Sequence, residues 1–145
     1  MKALISAILF LLSASAVACP DLSGAYLDKN KESVILAQKG CEEVSVLSRQ
    51  ISSKMSLDNI FAVVQDDADL LAMGRGIFVN DELVLEVKVQ YKKTQTIPAI
   101  LLPVRGVNKY SQTASGDLLE KSTVYNASNS VLLNTKTVYK RDPSQ

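Results

Sequence analysis

Histidine and tryptophan are absent from this 145-residue chain, and cysteine occurs only twice. The lack of histidine removes Ser-His-Asp triads, Cys-His pairs and imidazole metal sites in one step. An excess of one charge is also missing: 16 basic residues stand against 15 acidic ones, a net charge of +1. The basic residues are scattered and adjoin only at Lys92-Lys93 and Lys140-Arg141. Neither nucleic acid nor an anionic membrane surface is therefore an expected partner. Gly74-Arg75-Gly76 begins like a nucleotide fingerprint, but Val79 stands where a third glycine belongs. The two glycines read instead as a bend or bulge in a strand. Asp66, Asp67 and Asp69 fail as a calcium loop, because Leu71 and Met73 occupy later ligand places. A solvated turn is the expectation there. No cofactor and no metal are expected. Hydrolysis by paired carboxylates would need converging Asp or Glu residues, and no pair stands out.

What is present begins with an export signal. Met1-Lys2 supplies a positive start, residues 3–12 an uncharged apolar run, and residues 13–18 a small-residue stretch ending Ala16-Val17-Ala18. That order is the pattern of a secretory signal with an A-x-A-like cleavage site. The apolar core is shorter than the roughly 20 residues a membrane-spanning helix needs. The expected organisation is a signal-peptide helix over residues 1–18 and one domain over residues 19–145, periplasmic or secreted, with no membrane span.

Cys19 directly follows the cleavage site, so two fates are open to it. It pairs with Cys41 in a disulfide, as an even cysteine count in an exported chain suggests. Alternatively it carries a lipid anchor, which would leave Cys41 free. Ala16, where lipoprotein signals usually have Leu, favours the ordinary peptidase and the disulfide.

The remaining chain alternates with period two. In residues 83–91, Leu83, Leu85, Val87, Val89 and Tyr91 point one way, while Val84, Glu86, Lys88 and Gln90 point the other. Asn80-Asp81, between that run and Ile77-Phe78-Val79, signals a hairpin. Further strands are expected at 22–28, 32–38, 42–49, 107–114, 118–125 and 131–140, separated by turns such as Ser115-Gly116-Asp117. Residues 56–74 fit either a helical stripe or strand, turn and strand, and the second reading leads into the next hairpin. Short strands at this spacing predict an antiparallel meander. Adjacent strands lie about 4.8 Å apart and bridged cysteines have Cα atoms about 5.5 Å apart. A first hairpin would thus bring Cys19 and Cys41 within range.

Leu22-Ser23-Gly24-Ala25-Tyr26 resembles the opening strand of lipocalin-like and avidin-like barrels, which begin Gly-x-Trp with the aromatic closing one end. The longer string from Cys19 to Tyr26 is similar to the start of small exported bacterial proteins. The resemblance implies a barrel-closing role for Gly24 and Tyr26, with Arg141 packed across the aromatic. The absence of tryptophan means that the tryptophan-lined ligand site of avidin-like proteins does not carry over.

The expected fold is an all-β, antiparallel up-and-down barrel of about eight or nine strands, lipocalin-like, with an interior of Leu, Val, Ile and Tyr. The expected function is non-enzymatic binding of a small apolar ligand, with Leu83, Leu85, Val87, Val89 and Tyr91 facing it. The alternative is a structural or protein-interaction module of the cell envelope. Its contact surface would be Ile97, Ile100, Leu101 and Leu102, in an apolar stretch whose Pro98 and Pro103 disfavour a central strand. The same stretch could instead cover the barrel's open end. Asn126-Ala127-Ser128 matches a glycosylation sequon but reads first as a turn.

Overall fold

Alternating sequence becomes strand wherever one face can be buried, and the computed structural model has ten such strands in a single sheet. It describes residues 18–49 and 52–144, so the expected signal helix lies outside the described residues. The strands are β1 Gly24–Leu27, β2 Ser33–Lys39, β3 Glu43–Ser48, β4 Ser52–Ser56 and β5 Ala62–Asp66. They continue with β6 Leu70–Val79, β7 Glu82–Tyr91, β8 Arg105–Gln112, β9 Leu118–Tyr125 and β10 Val131–Arg141. A single 3-10 turn, Ala99–Leu101, interrupts the β7–β8 loop.

The strand count corrects the expectation of eight or nine. The unannounced strand is β4, whose Ser-Ser-Lys-Met-Ser carries one apolar side chain and so shows no alternation. It forms because β3 templates it, with Met55 opposite Val44. Residues 56–74 follow the strand reading and contribute β5 and the start of β6. Asn80 and Asp81 both adopt positive φ, 47° and 62°, as the tightest hairpin turns require.

The sheet runs β4-β3-β2-β1-β10-β9-β8-β7-β6-β5. Every pairing is antiparallel, and the first strand pairs with the last through Tyr26↔Arg141 and Leu27↔Lys140. The result is a nearly closed barrel whose break falls between β4 and β5. There β4 is laid against β6 instead. The Asn59 amide donates to the Gly76 carbonyl at 2.9 Å. A Cβ on Gly76 would lie 2.6 Å from Leu57 Cδ2, and one on Gly74 would lie 3.1 Å from Met55 Sδ. The two glycines therefore mark a close approach of β4, and no bulge falls at either of them. β6 keeps unbroken register with β7 across both. The register shifts lie elsewhere, between Val63 and Gln65 in β5 and between Val131 and Leu133 in β10.

One end of the barrel is packed solid. Leu22, Tyr26, Val34, Leu36, Val44, Leu83 and Leu118 form its core, with Leu83 and Leu118 wholly excluded from solvent. Burying each such leucine contributes about 1.5–3 kcal/mol. Cys19 and Cys41 are disulfide-bonded at this end, with Cα atoms 5.5 Å apart. The outward face carries Lys54, Arg75, Glu86, Lys88, Lys109 and Lys121, unlike the apolar band of a membrane-spanning barrel.

Candidate functional site

The opposite end is hollow. Side chains of one parity along β7, β8, β9 and β10 face inward, and their chemistry changes around the ring. From β6 and β7 come Leu70, Ala72, Leu85, Val87 and Val89, joined across the lumen by Val46, Met55 and Val64. They enclose a cavity of about 380 Å³, within the range of small-ligand pockets. From β9 and β10 come Glu120, Ser122, Thr135, Thr137 and Tyr139, which line a second cavity of about 280 Å³. Glu32, Ser33, Ser48 and Arg49 form its other wall.

The second cavity exists because β1 is short. It covers only the last residues of β10, leaving residues 131–139 paired with β9 alone. The interior opens sideways there. Val46, Asn108, Tyr110 and Ser122 line both cavities, so the two chambers adjoin across these residues.

Glu120 organises the boundary. Tyr110 donates its hydroxyl to Glu120 Oε1 at 3.0 Å, and Tyr139 donates to Oε2 at 2.8 Å. Burial pushes the Tyr110 phenol well above its ordinary range, and the negative charge of Glu120 pushes it further. Burial also raises Tyr139, followed by its hydrogen bond to Glu120. Both phenols therefore remain protonated donors at neutral pH and are unsuited to act as bases. Ser122, Thr135 and Thr137 supply hydroxyls without an activating base. Among the described residues no group of three acidic, cysteine or histidine side chains converges to hold a metal.

A second charged cluster lies outside. Glu86, almost wholly buried, accepts from Arg75 Nε at 2.7 Å and Arg105 Nε at 2.6 Å. Burial alone would raise its carboxyl, but the two guanidinium hydrogen bonds hold it below the usual range. Arg75 stacks on Phe61 at 4.6 Å and Arg105 on Tyr125 at 4.7 Å. This triad ties β6, β7 and β8 together, and its acid is fully occupied.

No family model, curated protein or solved structure matches this chain. The lipocalin-like resemblance accordingly rests on the opening strand, beside a fold that agrees at the level of an antiparallel, nearly closed barrel.

Of the residues singled out from sequence, Leu85, Val87 and Val89 lie on the apolar chamber wall. Leu83 sits below it in the solid core, and Tyr91 donates to the Pro103 carbonyl at 2.8 Å. Tyr26 is buried at the disulfide end and donates to the Leu22 carbonyl at 2.9 Å. Gly24 adopts φ +153°, with the Tyr26 ring 3.3 Å from where its Cβ would be. Arg141 lies 6.0 Å from that ring and donates to the Ser23 carbonyl. Ile97, Ile100 and Leu101 are exposed and Leu102 half-buried, and this loop contributes no residue to either chamber.

Sequence reading missed Glu120, Tyr110 and Tyr139 as a group. The signal was available in the parity of β9, where Leu118, Glu120, Ser122 and Val124 share a face. The turn expected at Asn126 is present, the Asn126 side chain accepting from the Ser130 amide at 2.8 Å, but sequence reading missed that Asn126 is buried and donates to the Ile100 carbonyl at 2.7 Å. Its amide is a staple between loops, which leaves the sequon nitrogen engaged. Asp67 likewise serves its own turn, accepting from the Asp69 and Leu70 amides.

Proposed function

We propose that the mature chain is an exported, non-enzymatic barrel that binds a small, largely apolar ligand in its lumen. The observation that carries the reading is the apolar chamber of about 380 Å³ above a solid, disulfide-pinned base. An interior built only for stability would be filled, since protein cores leave few voids larger than a water molecule. Export is supported by the signal-like residues 1–18 and by the disulfide, which persists in oxidising compartments. The Cys19–Cys41 bond supports the disulfide reading over the lipid anchor, because one sulfur cannot be both disulfide and thioether. The lipocalin-like opening strand supports the same kind of binder.

Prodan, a small neutral fluorophore, tests the chamber. Saturable binding with a blue-shifted emission is expected of the wild type. Val87→Trp places an indole in the chamber of a chain that otherwise has none, and it should abolish binding while preserving the melting curve. Unsaturable binding, or binding unchanged in a folded Val87→Trp variant, would refute the reading.

A second reading, as a protein-interaction module, draws on the exposure of Ile97, Ile100 and Leu101. The Asn126 amide fixes the backbone of this loop through the Ile100 carbonyl. Ile100→Asp should then abolish an association without unfolding the barrel.

A further inference from the structure

We infer that the ligand of this lumen is an amphiphile with a cationic amine head, the head seated on Glu120 and the tail lying along Leu85, Val87 and Val89. The inference rests on the lumen being the binding site and adds the ligand's chemical class.

Three observations carry it. First, the two chambers adjoin, with Val46, Asn108, Tyr110 and Ser122 bordering both, which places an apolar wall and the Glu120 carboxylate within the reach of one elongated molecule. A purely apolar ligand would leave the polar chamber unmatched.

Second, Glu120 has no cationic partner among the described residues. Its two phenolic neighbours supply one hydrogen bond to each oxygen, while a carboxylate offers about four lone-pair sites. An acceptor position remains on each oxygen. An inward-facing carboxylate is costly to shield from water unless a charge compensates it.

Third, the other ionisable groups lining the polar chamber cancel. Arg49 and Glu32 pair with each other at 3.7 Å, both largely exposed. The remaining lining side chains are hydroxyls, the Asn108 amide and the apolar Val46 and Leu133, all neutral. The formal charge of the chamber is therefore that of Glu120, and it selects a cation over an anion or a neutral head. The upward-shifted Tyr110 and Tyr139 agree with this, because both stay protonated and neither competes as a second anion.

The test compares three probes with equal tails, octylamine, octanol and octanoate, by displacement of prodan and by calorimetry. Wild-type protein should bind octylamine at least about tenfold more tightly than octanol, with octanoate weakest, as a charged hydrogen bond implies. Glu120→Gln keeps the side-chain shape and removes the charge. It should reduce octylamine affinity about tenfold, to the level of octanol, and leave octanol and prodan unchanged. Octanoate binding wild type as tightly as octylamine would overturn the inference. So would a folded Glu120→Gln variant that keeps the amine preference. Should that variant not fold, the wild-type ranking decides alone. Failure of prodan to bind wild type would instead refute the lumen reading itself, and this inference with it.

Discussion

Replacing Gly76 with alanine puts one methyl group where β4 is laid on β6. That carbon would lie 2.6 Å from Leu57 Cδ2, 3.0 Å from Leu85 Cδ2 and 3.3 Å from the Ser56 carbonyl oxygen. Leu57 and Leu85 are both buried, so neither can swing away into solvent. Overpacking of this kind costs about 1–3 kcal/mol. Alanine also restricts the unfolded chain, which returns about 0.4–1 kcal/mol. The expected net loss is about 1–2 kcal/mol, or roughly 4 °C of melting temperature per kcal/mol in a domain of this size. Equilibrium urea unfolding under oxidising conditions measures it. Gly106→Ala is the matched control, because nothing lies within 4 Å of its Cβ position and its φ is ordinary. It should be neutral or stabilising by about 0.4–1 kcal/mol. In a Leu57→Ala background the cost of Gly76→Ala should fall by about 1 kcal/mol, a coupling typical of residues in contact. Equal effects of the two glycine substitutions, or no coupling to Leu57, would refute the account of the seam.

Three further outcomes are expected. Replacing Cys19 and Cys41 with serine should cost about 3 kcal/mol by the chain-entropy argument, seen as a lower urea midpoint that reducing agent no longer shifts. Glu86→Gln should cost about 2 kcal/mol and flatten the acid limb of the stability profile. Its folded carboxyl is held low, so the stabilisation is present above the unfolded carboxylate range and lost as pH falls through the folded value. In an ultraviolet titration Tyr26, Tyr110 and Tyr139 should resist ionisation past the ordinary tyrosine value of about 10, since burial raises all three. Their contribution to stability is complete below that value and is lost as pH climbs through the folded ones. Ionisation of all five tyrosines in one step, without unfolding, would contradict the buried phenols.

Local information was legible in the sequence. The alternation of β7, the Asn80-Asp81 turn and the pairing of Cys19 with Cys41 all follow from neighbours a few residues away or from one hairpin. β4 was not legible, because its pairing is dictated by β3 and its own residues carry no pattern. The close approach at Gly74 and Gly76 was missed for a related reason. A glycine announces that something special happens to the backbone, and only the tertiary structure says whether the chain bends or another strand approaches. The candidate site divides in the same way. Leu85, Val87 and Val89 were visible as a face, whereas Glu120 became significant only once β8 and β10 set Tyr110 and Tyr139 on either side of it. Asn126 matched a modification motif whose chemistry its burial redirects.

The pairing of β1 with β10 has a consequence for the order in which the barrel is made. The chain emerges from synthesis with β1 early and β10 last. Once the chain is in an oxidising compartment, the first hairpin can lock itself through Cys19 and Cys41 without the rest of the barrel, because that contact spans 22 positions. Its outer edge must then wait, unpaired, for nearly the whole remaining chain. Contacts of such long sequence separation slow folding, since the entropy of closing the loop is lost before the contact forms. Tyr26, buried in the finished base, stays uncovered on its Arg141 side until the final strand arrives. Completion of the ring thus waits for β10, and a chain truncated before it would hold a finished hairpin and an unfinished container.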